Sequence, residues 1–124
     1  MRYMMMIKAT PDYEAGRPPN PALIASMGAL AEEMARTGVL ESTGGLLPSV
    51  AGARLTYAAG KRSLVDGPFA ETKELIGGYA IINARSREHA VELADRVLDV
   101  HVAAGVPNFE MEIRPMFDGS CSKG

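Results

Sequence analysis

The sequence predicts an α+β domain built from two strand–helix–strand halves with a β-hairpin set between them. Three observations carry that prediction. The segments 3–7 and 78–83 are apolar at nearly every position, as strands are when both faces are covered. Two longer segments carry an apolar stripe at helical spacing behind a good N-cap. Between the halves, short alternating runs flank an Ala59-Gly60 turn, which is hairpin chemistry.

In order, Arg2 to Lys8 reads as the first strand, and Thr10 to Pro19 as a loop rich in proline and charge. Asn20 caps a helix with Pro21 at its first position, and Leu23, Met27, Leu30 and Met34 form its stripe. Gly38 ends it in a left-handed turn. Val39 to Leu47 reads as a strand with a bulge at Gly44-Gly45. The hairpin occupies 53–66, and Asp66-Gly67-Pro68-Phe69 breaks it; the isomer of the Gly67–Pro68 bond is left open. The apolar strand 78–83 follows. Ser86 caps a second helix reaching to about Ala104, with Ala90, Ala94, Val97, Leu98 and His101 as its stripe. Phe109, Met111 and Ile113 alternate with charged residues in a last strand.

That order is the ferredoxin-like arrangement of two split βαβ units, with both helices on one face of the sheet. The first and third core strands are then central, and they are the two that read apolar throughout. If the helices cover one face, the other exposes an apolar patch that monomers rarely leave open. A second copy packed face to face covers it, so a homodimer is expected.

With 124 residues the chain has room for one domain, assigned to 1–117, followed by a Gly/Ser tail at 118–124 expected to be flexible. Net charge is −2, with 13 basic and 15 acidic residues interspersed, so no basic stripe points to nucleic acid. The opening apolar run is too short for a signal segment or a membrane span. The lone cysteine, Cys121, cannot form an internal disulfide, and a cytoplasmic protein is expected.

No phosphate-binding glycine loop, nucleophile elbow or Cys/His cluster is present, so neither metal nor cofactor is expected. His89 and His101 lie twelve positions apart on one helix, roughly 18 Å, and cannot share an ion. His101 is either a core-edge histidine eased by the helix C-terminus or a general base. The run Asp66-Gly67-Pro68-Phe69-Ala70-Glu71-Thr72-Lys73-Glu74 has two readings as well. It is good turn chemistry, with Phe69 pinning the turn to the core, or it gathers polar groups at a site.

This run, followed by Gly77-Gly78-Tyr79, resembles the signature of the DGPF branch of the YCII-related family. Tyr3-Met4-Met5-Met6-Ile7, Gly38-Val39-Leu40 and Glu110 to Pro115 resemble other parts of that branch. The resemblance covers nearly the whole chain. It implies a ferredoxin-like fold and a dimeric α/β barrel, and some relatives in the wider family resemble lyases using a His–Asp pair on ring compounds. The histidine of that pair falls early in the chain, where this sequence has none before His89. DGPF-type proteins tend to be associated with sigma-factor genes, so the resemblance also implies a regulatory setting.

The resulting expectation is a cofactor-independent lyase or isomerase on a small organic molecule. Asp66 and His101 are the candidate catalytic residues. Glu71, Lys73, Tyr79 and Arg114 are candidates for substrate binding, with Gly67, Pro68 and Phe69 as the structural signature. The alternatives are a small-ligand or regulatory module without turnover, and a purely structural dimer.

Overall fold

A computed structural model describes residues 1–71 and 74–117. Lys73, Cys121 and the tail assigned to 118–124 lie outside the described residues. The elements are β1 (Arg2–Lys8), α1 (Pro11–Glu14), α2 (Pro21–Arg36), β2 (Leu40–Gly45), β3 (Ala53–Ala58), β4 (Lys61–Asp66), β5 (Ile76–Asn83), α3 (Arg87–Ala103) and β6 (Met111–Pro115). β2, β5, β1 and β6 form an antiparallel sheet in that order, and β3 and β4 form a separate hairpin. The central strands are β5 and β1, the two with apolar runs, as expected.

Register sorts the sheet into two faces, because directly paired residues point the same way. Tyr3 pairs with Ile82 and Met5 with Ala80 and Ile113. These side chains meet Leu30 and Met34 of α2 and Ala90, Leu93, Ala94 and Val97 of α3 in one core. The outer face carries Met4 opposite Ile81 and Met6 opposite Tyr79. All four are half-buried, and Arg114 and Glu112 flank them from β6.

Local signals place the helices. Asn20 Oδ1 accepts from the Ala22 N–H at 2.8 Å, and Pro21 opens α2. Gly38, at φ 80°, closes it, with Gly38 N–H bonding to Ala35 O and Val39 N–H to Met34 O. Ser86 Oγ accepts from the His89 N–H at the start of α3. No helix of the described residues is long and apolar enough to cross a membrane.

Several details differ from the sequence reading. The 10–19 loop contains a helical turn, α1, capped by Thr10. The irregularity in β2 falls between Leu40 and Ser42, not at the glycines, which pair regularly with Tyr79 and Gly78. Gly44 leaves room for the Tyr79 ring, which a β-carbon there would approach to 2.9 Å. Leu93 joins the buried stripe of α3, and Leu98 is only half-buried. Phe69 is half-buried and lies outside the main core; its ring sits under the Arg54 guanidinium at 4.1 Å.

Candidate functional site

The glycines of β2 and β5 leave side-chain space empty on the helix-facing side of the sheet. Gly45 pairs with Gly78, which pairs in turn with Ile7, so all three share that face. A β-carbon at Gly45 would meet nothing within 4 Å. The space belongs to a cavity of about 460 Å³ between sheet and helices. Met5 and Ile7 line it from the sheet, Leu23 and Met27 from α2, Val97 and His101 from α3. Tyr13 of α1 and the loop residues Thr10, Val106 and Phe109 also line it.

His101 is buried at 9% exposure, and its ring stacks on Phe109 with centroids 4.0 Å apart. Nδ1 lies 2.8 Å from Val97 O. A carbonyl only accepts, so Nδ1 carries the proton. Nε2 is then the basic nitrogen of a cavity-lining imidazole, and it has no hydrogen-bond partner among the described residues. No described lining residue is a carboxylate. Lys8 also lines the cavity, with its ammonium 3.6 Å from Glu112 Oε1. Such a wall, mostly apolar with an imidazole and a lysine and without a carboxylate, suits a neutral or anionic organic molecule better than a cation. Among the described residues no group of three metal-ligating side chains occurs.

Of the residues singled out in the sequence, His101 and Tyr79 line the cavity. Tyr79 belongs to the outer face by register, and its ring lies against Gly44, where a β-carbon would come within 2.9 Å of Cε1. Asp66, Glu71 and Arg114 are not among the lining residues. Asp66 ends β4, exposed, at the root of the hairpin. Arg114 is exposed on the outer face, 3.7 Å from Glu112. Glu71 is exposed beside Arg54, at 3.3 Å. Its carboxyl is held below the ordinary range, first by a hydrogen bond from its own backbone N–H and then by Arg54.

The signature turn is built into the scaffold. The Gly67–Pro68 bond is cis, Gly67 N–H bonds to Gly52 O, and Phe69 N–H to Ser49 Oγ. Glu14 of α1 accepts from both the backbone N–H and the hydroxyl of Ser49, tying the hairpin root to the cavity rim. Sequence reasoning missed Glu14, Ser49 and the cavity residues Thr10, Tyr13 and Phe109. The available signal was Thr10-Pro11 ahead of two acidic residues, a helix start too short to show periodicity.

A model of the YCII-related domain matches residues 1–115. An uncharacterized protein of Rhizobium meliloti (strain 1021) is 31% identical over 90 residues, covering 73% of this chain and 69% of that one.

Proposed function

The chain belongs to the YCII-related domain family, and from that premise we propose that its cavity binds a small, largely apolar organic molecule, with His101 as the group that takes a proton or a hydrogen bond from it. The observation that carries this reading is the Nδ1–Val97 O bond, which leaves Nε2 as the basic ring nitrogen on a mostly apolar wall. A single base of this kind suits proton transfer within a bound molecule, as in an isomerase or lyase, without a cofactor. General acid–base help of this type contributes roughly 10²–10⁴-fold in rate. Asp66 does not join His101 at the cavity wall, so a His–Asp pair within one chain is not part of the proposal.

The second reading is a ligand-binding or regulatory module with no turnover. The lack of a lining carboxylate to assist the imidazole favours it. The signature at 66–74 supports assigning the chain to the DGPF branch, whose regulatory setting suits such a module in the cytoplasm. Either way the protein is read as a homodimer, in which Met4, Met6, Tyr79 and Ile81 of two copies meet to close a barrel between the sheets.

Filling the cavity tests the site. Gly45→Leu places a side chain in the empty space. The parent is expected to enhance the fluorescence of 1-anilinonaphthalene-8-sulfonate, and the folded variant to lose most of that gain. Equal enhancement in both would place binding elsewhere. To separate the two readings, proton NMR in deuterium oxide follows exchange of acidic C–H protons in a panel of small lactones and ring acids. Exchange that the parent catalyses and His101→Gln does not supports the enzyme; binding without exchange supports the module.

A further inference from the structure

The hairpin has two unlike faces. Ala53 pairs with Asp66, Leu55 with Leu64 and Tyr57 with Arg62, so these side chains share one face. The other face is mostly polar: the Thr56 and Ser63 hydroxyls bond there, and Arg54 turns back over Phe69. On the first face Leu55, Tyr57 and Leu64 are 70%, 72% and 67% exposed. A lone two-stranded hairpin is marginal in water, and its apolar side chains stabilise it only when something covers them.

We infer that this face packs against the same face of a second copy, across a two-fold axis running between the hairpins and perpendicular to their strands. The order of residues along the face suits that operation. The rotation lays the root of one hairpin over the tip of the other. Leu55 and Leu64, the middle pair, then meet their own counterparts. Asp66 at the root meets the partner's Arg62 at the tip, and Tyr57 at the tip meets the partner's small Ala53. Leucine meets leucine, anion meets cation and large meets small. Stacking root on root, about an axis parallel to the strands, sets Asp66 on the partner's Ala53 and Arg62 on the partner's Tyr57, so neither charge meets its opposite. A partner of another sequence would need none of this self-complementarity, and a second copy needs all of it. Asp66 thereby gains a role that its exposed place outside the cavity otherwise lacks.

Three residue pairs are fewer than the roughly 20–30 residues a side of a stable interface, so the hairpin contact is one part of the homodimer proposed above and rests on it. The test uses full-length protein with Cys121, the sole cysteine, changed to serine. Leu64→Cys and Ser63→Cys, on opposite faces, are treated with a short bis-maleimide at low micromolar concentration. Leu64→Cys is expected to give about tenfold more covalent dimer than Ser63→Cys, since only facing side chains lie within a short linker's span. Arg62→Glu and Asp66→Arg should each weaken association about tenfold, and the two together should restore it, as a swapped ion pair does. Equal cross-linking at both positions, or none at Leu64→Cys from a parent that sediments as a dimer, overturns the hairpin contact alone. A parent that sediments as a monomer overturns the homodimer itself. Circular dichroism confirms that each variant is folded.

Discussion

Gly67 lies so close to Ser49 that a β-carbon on the glycine would stand 1.7 Å from the Ser49 carbonyl oxygen. The obstacle is backbone, anchored by the Glu14 carboxylate on the Ser49 N–H, so the neighbour cannot rotate away. Gly67→Ala is therefore expected to cost about 3 kcal/mol or more in a urea melt, the upper range for overpacking. Gly28, in α2, has nothing within 4 Å of its missing β-carbon. Gly28→Ala should raise stability by about 0.5–1 kcal/mol through helix propensity and a less free unfolded chain. A destabilised Gly28→Ala and an unchanged Gly67→Ala would reverse the account of both positions.

Adjacent methionines of β1 should respond in opposite ways to the same charge. Met5 is 2% exposed in the core, and Met4 is half-buried on the outer face. Met5→Glu buries an unpaired carboxylate and is expected to unfold the chain. Met4→Glu should leave the circular dichroism spectrum intact while lowering the sedimenting mass to that of a monomer. A Met4→Glu protein that stays dimeric at low micromolar concentration would falsify the sheet-face contact.

Glu14 joins α1 to the hairpin root through two hydrogen bonds to Ser49. Bonds to a charged acceptor contribute about 1.5–3 kcal/mol, so Glu14→Ala should lower the unfolding free energy from a urea melt by an amount in that range. Phe69→Ala should cost less, about 1–2 kcal/mol, because its ring is half-buried outside the main core and gains mainly from Arg54 above it. A larger loss for Phe69→Ala than for Glu14→Ala would mean that the turn is held by packing and not by the carboxylate.

Glu71 should titrate below an ordinary glutamate in a carbon-detected NMR titration of its carboxyl group. A lowered folded-state value means the carboxylate form is favoured on folding. The resulting stability is present at pH values above the ordinary carboxylate range and is lost as pH falls through the lowered value. Arg54→Ala should move the titration only part of the way back, because the hydrogen bond from the backbone N–H of Glu71 is the larger cause. Full return to the ordinary value would assign the shift to Arg54 alone.

The element order apart from α1, the two central strands, both long helices with their Asn20 and Ser86 caps, and the Gly38 stop were legible in the sequence. Each is a local property: apolar period, capping side chain, or a glycine where φ must be positive. Pairing register belongs to another level. Only the folded sheet set Gly45, Gly78 and Ile7 on one face and opened a cavity there, although these residues lie far apart in the chain. Only the sheet placed the β2 irregularity at Glu41 and let Gly44 pair regularly beside the Tyr79 ring. The signature at 66–74 was visible as a cluster, yet its described carboxylates turn outward along the hairpin root while His101 lines the cavity on another element. A sequence reports which residues are neighbours along the chain, and a site depends on which side chains are brought together, and which are missing, once distant strands are in register.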